Sequence, residues 1–148
     1  VAAAGAGAAA AVGSSSVRAL GRLNQPGAPS VIAAALEDSD VEVRRAALSV
    51  VLRVNFFSDQ AAVIGCLADS AADVRKRAAL ILGEMRASAA ASPLAGLLLG
   101  DPDRDVRQAA AWALGRIGGG VAVDALSQAI GSERDSLVLD AIRIARRM

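Results

Sequence analysis

Asp101, Asp103 and Asp105 stand at alternate positions, the spacing at which a calcium-binding loop opens its set of oxygen ligands. That loop also needs a glycine at its sixth position and a glutamate at its twelfth, where this chain has Val106 and Trp112, so the set does not read as a cation site. Gly5-Ala6-Gly7-Ala8-Ala9-Ala10 imitates a dinucleotide fingerprint, but no strand precedes it and no βαβ unit surrounds it. The chain has no histidine, which removes Ser-His-Asp and Cys-His catalysis and imidazole metal sites. The lone thiol, Cys66, falls in a column of core residues and reads as a small apolar side chain. The acid clusters recur at a regular step, as structural features do and a catalytic pair does not. No enzyme chemistry, metal or cofactor is expected.

The recurrence organises the chain. Val43-Arg44, Val74-Arg75 and Val106-Arg107 lie 31 and 32 residues apart, the mark of a repeat array in which each unit stacks on its neighbours. Stepping back and on by 31 reaches Val12 and Leu137. From each start, apolar residues return after four, seven, eight and eleven positions, one stripe of an α-helix, helix B. Ala78, Ile81, Leu82 and Met85 show the pattern. A second, nearly uncharged set precedes it and predicts helix A. Its columns align as Ile32, Val63, Ala95, Leu126; as Ala35, Cys66, Leu98, Ala129; and as Leu36, Leu67, Leu99, Ile130.

Pro29-Ser30, Ser58-Asp59 and Ser92-Pro93 mark the starts of helix A. Pro26-Gly27 and Gly118-Gly119-Gly120 punctuate the joins between units. A short acidic turn separates A from B. With 54% apolar residues, much of it alanine, and no strict alternation, the expected class is all-α. The units fall at 25–55, 56–87, 88–118 and 119–148, after a degenerate first unit at 1–24 whose core columns hold Gly5 and Gly7. The whole reads as a single repeat domain of about five hairpins. A start at Val1 rather than methionine suggests a piece of a longer protein.

Net charge is +1, so no global field draws the chain to nucleic acid or to a membrane surface. Residues 1–17 lack a basic leader segment and are too short and too rich in glycine for a membrane span. A cytoplasmic protein is expected. Fifteen arginines against one lysine suggest a GC-rich, bacterial genome.

Residues 101–115 read Asp-Pro-Asp-Arg-Asp-Val-Arg-Gln-Ala-Ala-Ala-Trp-Ala-Leu-Gly, and residues 69–83 and 38–52 repeat the pattern more weakly. This run resembles the short HEAT-like repeat named after phycobilisome lyases, an armadillo-like α-solenoid. The resemblance covers residues 12–148. It departs in the first unit, with Gly13 in the arginine column, and in the fifth, where Leu137-Val138 could shift the register by one. It implies that Arg44, Arg75 and Arg107 form a structural ladder with turn acids of neighbouring repeats, among which Asp73 and Asp105 stand next to the Val-Arg pairs. It also implies that helix B lines a concave face. There the residues two and six positions after the repeat start would gather Arg18, Arg45, Lys76 and Arg143 around Leu80 and Trp112, over a glycine floor at Gly83 and Gly115.

The expected function is a non-enzymatic protein-interaction scaffold, since exposed Trp beside Arg is interface-like and stacked repeats offer extended surfaces. Its partner would be an acidic protein, and self-association through cut repeat ends is a further expectation. Two alternatives stand beside it. One is a bilin lyase-type or chaperone subunit, implied by the family name. The other is a nucleic-acid-binding HEAT-like domain, which a basic groove favours and a near-neutral charge with a single Trp disfavours.

Overall fold

The structure, a computed structural model, describes residues 27–53 and 59–148. The degenerate first unit, Arg18 and Gly13 lie outside the described residues. Among the described residues the chain is all-α, with eight α-helices and no strand. It divides into two compact units, Val1–Cys66 and Leu67–Met148.

In the first unit, α1 (Ala28–Ala35) and α2 (Val41–Val50) form a hairpin, and α3 (Gln60–Gly65) follows. Pro29 lies in the first turn of α1, where its missing N–H costs nothing. Asp40 caps α2 through the Glu42 N–H at 2.9 Å, and Asp59 caps α3 through Ala62 at 3.2 Å. Ile32, Leu36, Val43, Ala46, Ala47, Val50 and Val63 are buried. So is Cys66, whose Sγ lies 3.9 Å from the Leu36 carbonyl oxygen and 3.6 Å from that of Ala62.

The second unit has two layers. Helices α4 (Ala72–Glu84), α6 (Arg104–Ile117) and α8 (Ser136–Ala145) are the helix B elements, and α5 (Ala91–Gly100) and α7 (Gly119–Ser132) are helix A elements. Central α6 packs against α4, α5, α7 and α8, while α5 packs on α7. Asp103 caps α6 by accepting from the Asp105 and Val106 N–H groups, and Asp135 caps α8 through Leu137 and Val138. Helix α4 ends at Arg86, which takes φ 50°, with Ala87 N–H returning to the Leu82 carbonyl at 3.0 Å. Gly118, at φ 70°, is the single residue between α6 and α7 and caps both, in a backbone state that favours glycine.

Val43, Val74 and Val106 are all buried, as the repeat requires. Two registers differ from the sequence alignment. In α5 the buried residues are Ala91, Leu94 and Leu98, while Leu99 is 39% exposed, so the core column passes through Leu94 rather than Ala95. In α8, Val138, Ile142 and Ala145 are buried and Leu137 is 49% exposed, so the fifth start is Val138. One cause accounts for both. Val43 and Val74 follow their helix A anchors, Ile32 and Val63, by 11 residues, whereas Val106 and Val138 follow Leu94 and Leu126 by 12. The extra residue lies between the two anchors, so it falls within the hairpin and not between hairpins. The first-turn expectation for Ser92-Pro93 also shifts slightly: α5 starts at Ala91 after a short 3₁₀ turn, Ser88–Ala90, and has no side-chain cap.

Candidate functional site

The turn acids and the ladder arginines consume most of the charge near the helix B starts. Asp101 is 7% exposed. Its Oδ1 accepts from the Asp103 N–H at 2.9 Å and from Arg75 Nη2 at 3.1 Å, and its Oδ2 accepts from Arg75 Nε at 2.8 Å. Arg75 Nη1 donates to the Asp69 carbonyl at 2.9 Å, at the start of its own turn. One repeat on, Arg107 Nε donates to Glu133 Oε2 at 2.9 Å and Arg107 Nη1 to the Asp101 carbonyl at 2.8 Å. Each arginine thus ties its own turn to the next turn along, in bidentate geometry that a lysine cannot reproduce. Arg44 makes the same bond to its own turn, Nη1 to the Asp38 carbonyl at 2.8 Å.

The ladder acids are therefore Asp101 and Glu133, at the beginning of the turn, and not Asp105 at its end. Asp73 occupies the first turn of α4, where a carboxylate opposes the positive helix end. Two of the three aspartates that imitate a calcium loop are engaged otherwise: Asp101 holds Arg75, and Asp103 caps α6.

These contacts shift the charges they involve. The Asp101 carboxylate, through its hydrogen bond first, holds the Arg75 guanidinium above its ordinary value, against the opposing effect of burial. For Glu133, burial acts to raise the carboxyl, but the Asp135 N–H and the Arg107 guanidinium outweigh it and bring it below the ordinary value. Asp135 is lowered in the same way. Burial opposes the shift, and the Val138 and Leu137 N–H groups and Arg104 prevail.

The flank of α4, α6 and α8 left clear of the ladder carries a groove of about 420 Å³. Two full rows cross it, each with one residue per helix, and a partial third row precedes them. Leu80, Trp112 and Ile144 form an apolar row, and Lys76, Gln108 and Asp140 form a second row one turn earlier. Asp105 and Leu137 stand one turn before that, and Met148 closes the far end. Leu80 is 36% exposed, Ile144 59% and Met148 58%.

Trp112 is half-buried, with Arg116 Cζ 5.7 Å from its ring centroid. A Cβ added at Gly83 would fall 2.6 Å from Trp112 Cζ3 and 2.9 Å from Ala113 Cα. One added at Gly115 would fall 2.6 Å from Met148 Sδ and 2.9 Å from Ala145 Cα. These glycines are contact points between successive helix B elements rather than an open groove floor.

The predicted groove residues thus part company. Lys76, Leu80 and Trp112 come together. Arg143 falls one position off the apolar row, because α8 starts its register at Val138, and its Nη1 sits 3.1 Å from Asp140 Oδ1. Arg45 belongs to the first unit, half-buried and paired with Glu42 on its own helix. Arg18 lies outside the described residues. The sequence reading placed Gln108 on this face, two positions after its repeat start, but missed Asp105 as a groove residue, together with Leu137, Asp140, Ile144 and Met148. The 12-residue step from Leu126 to Val138 was the signal that could have found those on α8.

Among the described residues, no helix is long and apolar enough to cross a membrane, and no group of three or more Cys, Asp or Glu could hold a metal ion. The family model for HEAT repeats matches residues 60–146. No curated protein matches the chain. Among solved structures, the crystal structure of an engineered protein resembles it with a TM-score of 0.61 at 19% identity, over 91% of this chain and 66% of that one. At that identity the likeness is one of fold, and this chain spans just under two thirds of that protein's length. The two-layer stack of helix A and helix B, the arginine links between turns and the family match agree: the chain belongs to the HEAT repeat family.

Proposed function

We propose that this chain is a non-enzymatic protein-interaction scaffold whose binding surface in the second unit is the groove across α4, α6 and α8, centred on Trp112. HEAT repeats commonly act as protein-interaction scaffolds. The observation that carries the reading is the apolar row Leu80–Trp112–Ile144, left partly uncovered across three successive helices. A tryptophan rimmed by polar groups is the composition in which interface energy concentrates. The ladder arginines, by contrast, are consumed by structure. The repeat subtype is that of the phycobilisome-lyase HEAT-like unit, on the strength of residues 101–115, and the proposed location is the cytoplasm.

The test is affinity capture with the intact chain against its Trp112→Ala variant, with circular dichroism as the control for folding. A protein retained by the wild type and lost by a folded variant supports the reading. Equal capture by both, or retention of nucleic acid alone in a salt-dependent manner, overturns it.

A further inference from the structure

The three side chains of the Lys76–Gln108–Asp140 row occupy the same turn on successive helices, so charge changes along the row from positive through neutral to negative. Asp105, one turn before Gln108 on the central helix, adds a second carboxylate. Nearly every other charged group around these turns is already committed. Arg75 is held by Asp101, Arg107 by Glu133, and Arg104 reaches Asp135. Lys76 and Asp105 take part in no ion pair among the described residues. Asp140 meets only Arg143, in a pair more than half exposed on both sides, and such pairs are weak and screened by salt. The groove therefore keeps two opposite charges at its two ends, with Gln108 between them and the apolar row alongside, one turn further on.

Resting on the scaffold reading above, we propose that the groove binds an extended peptide segment with an acidic residue at one end, a bulky apolar residue in the middle and a basic residue at the other. The apolar residue sits on Trp112. The acidic group meets Lys76, and the basic group meets Asp140 and Asp105. Charge complementarity fixes which end of the segment lies over α4, and like charges at either end are rejected. The length follows from the helices. Two helix-to-helix steps of about 8–10 Å separate Lys76 from Asp140, a distance that an extended chain covers in about six residues at ~3.3 Å each. This partner differs from the acidic protein expected from a uniformly basic groove, because Asp140 and Ile144 line it on α8 where Arg143 was expected.

Three fluorescent nine-residue peptides test it, each with a central Leu-Phe-Leu and ends of Glu and Arg, Glu and Glu, or Arg and Arg. Binding to the intact chain is read by anisotropy at low and at moderate salt. The Glu/Arg peptide should bind at least fivefold more tightly than either other peptide, with the gap shrinking as salt rises. Lys76→Glu should transfer the preference to the Arg/Arg peptide, and Asp105→Lys with Asp140→Lys should transfer it to the Glu/Glu peptide. All these positions are exposed, so the variants should keep the wild-type circular dichroism, and only Asp105→Lys, in the first turn of α6, should lower the melting temperature slightly. Equal binding of all three peptides, unmoved by the charge variants but lost in Trp112→Ala, overturns the charge order and leaves the scaffold reading standing. Failure of all three to bind, with a protein still captured through Trp112, overturns the peptide proposal alone. Failure of both overturns the two together.

Discussion

Arg75 and Asp101 meet through two hydrogen bonds, Nε to Oδ2 at 2.8 Å and Nη2 to Oδ1 at 3.1 Å, although 26 residues separate them in sequence. The aspartate side chain is 3% exposed and the arginine side chain 13%. A carboxylate so covered has no water to replace a lost guanidinium. Removing one partner therefore costs more than the intact pair contributes.

Arg75→Ala should accordingly destabilise the second unit by about 1–3 kcal/mol. Arg75→Lys should recover little of it, because one ammonium cannot serve both Asp101 oxygens and the Asp69 carbonyl together. Chemical denaturation of the single variants and of Arg75→Ala with Asp101→Ala gives the coupling. Strict additivity would show that the two residues act independently.

Gly83→Ala should reverse the usual sign of a helix substitution. Alanine in a helix interior normally stabilises by about 1 kcal/mol. Here the new methyl meets Trp112 Cζ3 and the Ala113 backbone, so a loss of about 1–3 kcal/mol is expected instead. Gly96→Ala, where a Cβ meets nothing within 4 Å, is the control and should be neutral or stabilising in the same thermal melts.

Adjacent leucines separate the two registers. Leu98 is 1% exposed and Leu99 39%. Leu98→Ala should cost about 2–5 kcal/mol, and Leu99→Ala no more than about 0.5 kcal/mol. A reversed order would restore the alignment in which Leu99 shares the column of Leu36 and Leu67.

Acid should weaken the link at Glu133. Its carboxyl titrates below the ordinary 4.5 in the folded chain, so it contributes stability that is present above that value and lost as pH falls through the folded one. Melting temperature measured from pH 7 downward should hold until about pH 5 and then decline. Glu133→Gln should lower the neutral-pH value and flatten part of that decline.

The helix B stripe was legible because a valine start and its return after four, seven and eight positions leave one consistent phase. Val74, Ala78, Ile81 and Leu82 are all buried as that phase requires. The phase was not legible where apolar residues adjoin. Leu97-Leu98-Leu99 and Leu137-Val138-Leu139 satisfy a 3.6-residue period in either of two registers, and only the length of the preceding hairpin decides between them. The ladder arginines were legible as structural, but their partners were not. Asp105 is close in sequence, whereas Asp101 and Glu133 are close in space only once neighbouring turns stack. The groove inherited the same error: one residue of slip in α8 puts Asp140 and Ile144 where Arg143 was expected, and a two-signed strip where a basic one was.

Trp112 lies on Gly83 and Met148 on Gly115, and neither glycine faces the groove. The depth of the recess is thus gauged from behind by two hydrogen atoms where other residues carry carbon. Each glycine behaves as a shim of minimum thickness, and a single methyl beneath either side chain would lift it toward the mouth. Ligand fit could then be tuned at positions no ligand touches, which makes the spine of the stack, rather than the lining, the place where affinity is most finely adjusted.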